Sequence, residues 1–197
     1  MSDMNLGMTE RLKPIHARVA AMVREEIMPL DHEFLSEVGK AGDRWVYTAR
    51  QTEILEGLKN KARERGLWNF WLTGSERGYG LSTVEYAYLA EEMGKAHLGA
   101  ETFNCSAPDT GNMEVLERYG SEDHKKAWLE PLLEGKIRSA YLMTEPDVAS
   151  SDATNIAMRC ERQGDDYQLN GEKWWASGAE QLKVSAPRCA LPISSAR

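Results

Sequence analysis

Side chains that could bind a ligand fall in two short stretches in the second half of the chain. In the first, an apolar run ends at Thr144, and a loop of small residues with the hydroxyls of Ser150 and Ser151 follows. The second carries the adjacent indoles of Trp174 and Trp175. Hydroxyl and backbone N–H groups bind the polar edge of a ligand, and large rings often close a pocket. Both stretches are candidate binding segments, although the first could equally be an ordinary connection from helix to sheet.

Side chains for acid–base, nucleophilic or metal chemistry form no recognisable set. Glu145 is a carboxylate of commonplace type, and we assign it no catalytic role. The histidines are scattered over predicted helices, form no triad with a Ser or Cys, and are expected to be solvated or capping: His16, His32, His97 and His124. Three widely separated cysteines predict neither a metal site nor a disulfide framework. This cysteine usage favours a reducing intracellular compartment, cytoplasmic in a bacterium and mitochondrial or peroxisomal in a eukaryote.

Composition excludes several classes of partner. The chain has 197 residues, a formal net charge of −7 and a pI near 5.2. It has no basic tract, so we expect no nucleic-acid binding. No apolar run approaches the roughly 20 residues of a membrane span, and the polar start of the chain does not resemble a signal peptide.

The first part of the chain predicts helices that would position these stretches. Pro29 is expected to end the first helix, and Pro131 to bend or break the last. Capping and terminating residues delimit the others. The predicted helices span residues 9–28, 49–65, 82–97 from a Ser-Thr-Val-Glu capping box, 109–120 from a cap at Asp109 or Thr110, and 121–135.

The hydrophobic period then changes to that of strands. We predict strands at 137–144, 156–161, 167–170 and 172–177, with a hairpin turn at Asn170-Gly171. The fold class is therefore mostly α with a small β portion. A boundary between a helical domain, residues 1–136, and a partial β domain, residues 137–179, is expected near residue 136.

The residues of the binding stretches resemble motifs of the acyl-CoA dehydrogenase family. The resemblance rests on Tyr141-Leu-Met-Thr-Glu-Pro146, on Ser150-Ser-Asp152, and on Asn170-Gly-Glu-Lys-Trp-Trp-Ala-Ser-Gly178. Pro108-Asp-Thr-Gly-Asn112 also looks like the family. Phe70-Trp-Leu72 is most similar to the branch whose animal members are fused to a kinase-like domain. This family has an N-terminal helical bundle, a middle antiparallel β domain and a C-terminal four-helix domain, so the resemblance implies a helical bundle followed by an incomplete β domain.

The resemblance implies an FAD-dependent oxidoreductase. Members that resemble this chain oxidise an acyl-CoA thioester to the 2,3-enoyl-CoA in fatty-acid β-oxidation, pass electrons to electron-transfer flavoprotein and form homo-oligomers. A carboxylate removes the proton next to the carbonyl, and in the family that base lies far downstream of Glu145. The catalytic base is therefore expected to be absent from these 197 residues.

The resemblance also assigns residues to the cofactor and the substrate. The 141–144 run would lie against the flavin ring, and Ser150 would lie near both the flavin pyrophosphate and the acyl-CoA. Trp175 would pack against the flavin, and a hydroxyl at Ser177 would bond near its N5. Without the motif, Trp175 would more simply be a core residue. The predicted flavin contacts are Tyr141, Met143, Thr144, Ser150, Trp175 and Ser177.

Resemblance falls away after Ala179, so residues 180–197 are expected to be a divergent tail of a truncated chain that lacks the C-terminal domain. We expect such a chain to bind FAD weakly or not at all and not to turn over acyl-CoA. Two other functions remain open. One is a non-catalytic helical module that pairs with full-length subunits, and the other is an acyl-CoA oxidase-type flavoenzyme.

Overall fold

A computed structural model describes residues 6–73, 77–176 and 178. As predicted, the fold is mostly α-helical with one small antiparallel sheet in its described part. The chain packs as two compact units that divide between Ser106 and Ala107. This packing division precedes the domain boundary expected near residue 136, which stays a prediction because compact packing and domain ancestry are different criteria.

The first helical run is longer than predicted and continues through Pro29. Its segments follow without a break: α1 (Lys13–Met22), a π-helical turn (Val23–Ile27) and α2 (Met28–Ser36). The prediction that Pro29 ends the helix is wrong. In the π-helical turn, the N–H of Met28 donates to the carbonyl of Val23, and the α-helical pattern begins again at Met28. Pro29 therefore lies in a first helical turn, where a missing N–H costs little.

Helix α3 (Ala49–Glu64) has the predicted bounds to within one residue and begins at a capping box. The Thr48 hydroxyl accepts a hydrogen bond from the Gln51 N–H at 3.1 Å, and the Gln51 side chain accepts one from the Thr48 N–H at 3.0 Å. These bonds satisfy two N–H groups that have no partner within the helix. Gly66, with φ +62°, follows the helix in the left-handed conformation that glycine tolerates.

Helix α4 (Thr83–Met93) begins at the predicted Ser82–Glu85 capping box but ends before the predicted residue 97. The Glu85 carboxylate is buried and also accepts from the Thr9 hydroxyl and the Arg11 guanidinium. The Arg11 hydrogen bond, with that of Thr9, holds the pKa of Glu85 well below its usual range. Glu85 thus ties the chain before α1 to the start of α4, and a short helix α5 (Gly99–Thr102) follows.

The core of the first unit contains the inward faces of these helices and the aromatic segment between α3 and α4. Phe70 and Phe103 are fully buried, with ring centroids 5.8 Å apart. The largest fully buried side chains around them are Leu12, Met22, Ile27, Leu58, Leu67, Leu89 and Met93.

The second unit begins with helices in the regions that the sequence predicts, but the capping residue of the first of them differs. Its segments are α6 (Asp109–Tyr119), α7 (Glu122–His124), a π-helical turn (Lys125–Leu129) and α8 (Glu130–Leu133). Pro131 follows a π-helical turn just as Pro29 does, so the run is continuous through it. Asp109 or Thr110 was predicted to cap α6, but the capping position is Pro108, which makes no side-chain cap bond.

The sheet is one hairpin, β1 (Arg159–Gln163) and β2 (Asp166–Asn170), paired antiparallel with Arg159 opposite Asn170. Its turn lies at Gly164, as the Gly164-Asp-Asp pattern predicts, and the predicted strands at 156–161 and 167–170 correspond to β1 and β2. The further hairpin turn predicted at Asn170-Gly171 is wrong, since no strand follows it among the described residues. The predicted strands at 137–144 and, in its described part, 172–177 do not form ladders. Side chains and single hydrogen bonds meet the backbone groups of these runs instead, as shown below. Gly171 passes so close to Met158 that an added Cβ would be 2.8 Å from Met158 Cγ.

The capping box of α3 yields a stability prediction. Thr48→Ala removes the side-chain acceptor and should lower the free energy of unfolding by about 1 kcal/mol. Thr52→Ala is the control, because the exposed Thr52 hydroxyl only donates to the Thr48 carbonyl one turn back and should change stability by less than about 0.5 kcal/mol. Urea unfolding followed by circular dichroism measures both, and equal effects would contradict the capping role.

Candidate functional site

The predicted contact residues have very different exposures. Thr144 and Tyr141 are exposed, Tyr141 to 58%, and Met143 is half-buried. Ser150 is buried, and Ser177 lies outside the described residues. The 141–144 run therefore presents side chains to solvent, whereas Ser150 faces inward.

Trp175 is the most exposed large hydrophobic side chain of the described residues, at 82%. The interpretation of Trp175 as a core residue is therefore wrong. Its φ of +54° is a conformation that bulky side chains rarely adopt. Its ring contacts that of Trp174 edge to face, with centroids 6.2 Å apart. The two indoles together form an exposed aromatic surface.

The Glu145 carboxylate is buried and closes the loop that follows it. It accepts hydrogen bonds from the N–H groups of Ala157, at 2.7 Å, and Met158, at 3.0 Å. It also accepts from the Lys173 ammonium, at 2.8 Å. We call Glu145, Lys173 and these two N–H groups the Glu145 clamp.

Lys173 extends the clamp to the backbone before Glu145. Its Nζ also donates to the carbonyl of Met143 at 2.9 Å. In the next residue, the Trp174 N–H donates to the carbonyl of Thr144 at 3.1 Å. The segment that carries the tryptophans is therefore attached at two successive residues to the run that carries Thr144.

Ser150 acts inside the loop. Its hydroxyl oxygen accepts the Glu145 N–H at 2.7 Å, and the side chain is only 2% exposed. A short 3₁₀ turn (Ala153–Asn155) follows, with the Asp152 carboxylate accepting from the N–H of Thr154. The hydroxyl-rich loop is thus ordered by its own side chains.

A second buried carboxylate, Asp109, anchors the other end of the 141–144 run. It accepts from the Ser139 N–H at 2.7 Å and from the Ser139 hydroxyl at 2.5 Å, and it pairs with Arg138 Nε at 2.6 Å. The Asn112 amide donates to the Ser139 hydroxyl and to the Ala140 carbonyl. Helix α6 therefore fixes the entry to the run through two side chains of one face.

The charge on Glu145 is stabilised by its surroundings. The Lys173 hydrogen bond, with those of the Ala157 and Met158 N–H groups, lowers the pKa of Glu145 from its ordinary value. The carboxylate is therefore ionised at neutral pH with its oxygens engaged, which suits a structural contact better than proton abstraction.

The sequence analysis missed the positioning residues Lys173 and Asp109. Lys173 lies within the quoted motif, but 28 residues separate it from Glu145, and no spacing rule pairs them. Asp109 lies within the Pro108–Asn112 motif, but the only structural role considered for it was that of a helix cap. A signal for both pairs was available in the sequence, because each motif contains an acidic residue, Asp109 in one and Glu145 in the other. A buried ion pair is one reason for an acidic residue at such a position.

Family comparisons match nearly the whole described chain. The family model "Acyl-CoA dehydrogenase, N-terminal domain" matches residues 9–136, and the model "Acyl-CoA dehydrogenase, middle domain" matches residues 140–189. The chain belongs to the acyl-CoA dehydrogenase family. The family resemblance inferred from the motifs is thereby confirmed.

Relatives and solved structures agree with this assignment. Acyl-CoA dehydrogenase family member 11 of Gallus gallus is 47% identical over 179 residues, covering 89% of this chain and 22% of the chicken protein. A solved structure of a candidate acyl-CoA dehydrogenase from Mycobacterium abscessus is 49% identical, with a TM-score of 0.77, covering 87% of this chain and 43% of that one.

A more distant structure shares the fold alone. A glutaryl-CoA dehydrogenase from Mycobacterium smegmatis, solved in complex with FADH2, is 23% identical with a TM-score of 0.59, covering 91% of this chain and 42% of that one. This chain thus spans less than half the length of the proteins it matches here. Among the described residues, no helix is long and apolar enough to cross a membrane, and no group of three metal-ligating side chains occurs.

Removing the Asp109 anchor should destabilise the second unit. Asp109→Ala removes the acceptor of the buried Ser139 N–H and the Asp109–Arg138 ion pair, at an expected cost of about 3–5 kcal/mol. Asp123→Ala is the control, since Asp123 is exposed in a first helical turn, and should cost less than about 1 kcal/mol. Urea unfolding measured by tryptophan fluorescence reports both, and a loss for Asp109→Ala no larger than the control's would contradict the anchor.

The Glu145 clamp should make the free energy of unfolding decrease at acid pH. Because the folded pKa of Glu145 is below its ordinary value of 4.5, the unfolded state binds its proton first, and stability falls as pH decreases below 4.5. Glu145→Gln lowers stability at pH 7 but removes this contribution, so its urea midpoint should fall less between neutral and acid pH. The control Glu161→Gln, at an exposed position of β1, should retain the wild-type slope. Parallel slopes for all three proteins would contradict the clamp.

Proposed function

We propose that this chain contributes one side of the flavin site of an FAD-dependent acyl-CoA dehydrogenase. The observation that carries the proposal is the exposed Trp175, held beside the exposed 141–144 run in a chain of this family. A relative of the same fold was solved with FADH2, which supports the choice of cofactor.

The residues present fit a flat aromatic cofactor with a polar edge. Trp175 and Tyr141 offer exposed rings, and Thr144 offers a hydroxyl. Exposed rings of this size gain stability when another ring covers them. These rings and this hydroxyl match the flat ring and the polar edge of such a cofactor. The half-buried Met143 side chain adds a flexible apolar contact.

In the proposed reaction an acyl-CoA thioester loses the proton next to its carbonyl to a carboxylate base, expected outside these residues, and a hydride from the neighbouring carbon, which leaves the 2,3-enoyl-CoA. When bound, FAD supplies the hydride acceptor. Thr144 would donate a hydrogen bond to the polar edge of the cofactor, and Trp175 would cover its ring and exclude water. Ser177, outside the described residues, is proposed as a further contact. Ser150, predicted as a contact from the motif, has its buried hydroxyl engaged with the Glu145 N–H and is proposed to act by ordering its loop. Electron-transfer flavoprotein as acceptor, oligomer formation and a place in β-oxidation are proposals that rest on family membership.

The role of Trp175 can be tested by titrating the purified chain with FAD. Trp175→Ala should weaken binding by about tenfold, the equivalent of one lost ring contact. The matched control is Trp45→Ala, because Trp45 is also exposed, at 62%, but belongs to the first unit. Flavin fluorescence quenching gives the dissociation constants.

We expect the wild-type affinity to be weak, because the described residues offer one side of a site. Millimolar FAD that gives no saturable quenching would refute the proposed site. Equal affinities for the Trp175 and Trp45 variants would refute the contact assigned to Trp175.

A further inference from the structure

In the described part of the chain, the ammonium group of Lys173 is one of two attachments between the segment that carries Trp175 and the 141–145 run. Lys173 donates to the Met143 carbonyl and to Glu145, and its side chain is only 10% exposed. The other attachment is the backbone hydrogen bond from the Trp174 N–H to the Thr144 carbonyl. The Lys173 side chain therefore acts together with one backbone bond to set the distance between the two candidate flavin-facing segments.

The backbone around Trp175 requires such a constraint. A bulky residue at φ +54° is strained, and strain of this kind persists only where its surroundings enforce it. Lys173 and Trp174 are both bound to the 141–145 run, through the clamp and through the Thr144 carbonyl. Trp175 is the first residue beyond these bonds, and its indole is left uncovered.

We propose that Lys173 is a positioning residue that holds the Trp174–Trp175 pair in a conformation ready to cover the flavin. This inference rests on the proposed flavin site and adds to it the residue that sets the geometry. Lys173 does not need to touch the cofactor, because it acts through Glu145, the Met143 carbonyl and the backbone of its own segment.

The test compares Lys173→Met with Lys136→Met in the 197-residue chain. Lys136 belongs to the same unit and pairs with Glu134 at 2.7 Å, but it is exposed. Two indoles at 6.2 Å couple their electronic transitions and give a paired positive and negative band in circular dichroism. Trp174→Phe identifies that band. FAD affinity is the second measurement.

Lys173→Met should abolish the paired band and weaken FAD binding by about tenfold, while Lys136→Met changes neither. Because Lys173→Met leaves a buried carboxylate unpaired, a second variant, Lys173→Met with Glu145→Gln, removes both charges and keeps an amide oxygen that can accept from one of the two N–H groups, that of Ala157 or that of Met158. This variant should keep wild-type helical dichroism and still lose the paired band.

Two results would overturn the inference. Either the paired band and the affinity survive in both Lys173 variants, or they disappear only together with the helical signal, which would mean a purely structural role. If wild-type protein binds no FAD, the proposed flavin site fails, whereas loss of the paired band in the folded double variant would still establish Lys173 as the residue that positions the indoles.

Discussion

The buried carboxylate of Glu145 is the constraint on which the candidate site depends. A carboxylate withdrawn from water is costly unless hydrogen bonds and an opposite charge replace its hydration. Here the N–H groups of Ala157 and Met158 and the ammonium of Lys173 do so. These donors come from two chain segments distant from Glu145, so satisfying one side chain fixes three segments relative to one another. The loop between Glu145 and Ala157 is closed by the same contacts.

Asp109 uses the same chemistry at the other end of the 141–144 run. From helix α6, Asp109 accepts hydrogen bonds from the Ser139 N–H and hydroxyl. In the same way, Glu145 accepts from two N–H groups in the residues just before β1. A run of apolar residues usually gains order by pairing in a sheet. Here the Asp109 carboxylate meets backbone groups at one end, and the Lys173 ammonium and the Trp174 N–H meet carbonyls at the other. The run is therefore held without a ladder, and the side chains of Tyr141 and Thr144 remain exposed.

Local signals in the sequence predicted the helices well because helix starts depend on neighbouring residues. The capping box at Ser82 falls where the pattern placed it, whereas the box at Thr48 was not predicted, although α3 has nearly the predicted bounds. The continuation through Pro29 was not predictable, because a π-helical turn before the proline leaves no distinct sequence pattern. The predicted strands at 156–161 and 167–170, joined by a local turn, correspond to β1 and β2. The strands predicted at 137–144 and 172–177 do not form in their described parts, because the pairing of distant segments is non-local, and the Glu145–Lys173 pair was missed for the same reason. The motifs did identify the stretches that carry the candidate site, but exposure of Trp175 required the fold.

The conformation of Trp175 is strained, and the Glu145 clamp holds it in a position that suits binding of a planar ligand. Holding a tryptophan at φ +54° costs on the order of 1–3 kcal/mol, and leaving its indole exposed forgoes the gain of burial. A fold optimised only for stability would place glycine or asparagine there. The clamp and the Trp174–Thr144 hydrogen bond maintain the strained geometry on the side of the chain before Trp175. In an acyl-CoA dehydrogenase family member, a ring presented at this cost is best explained by a planar partner that covers it, since binding then recovers the burial that folding omits.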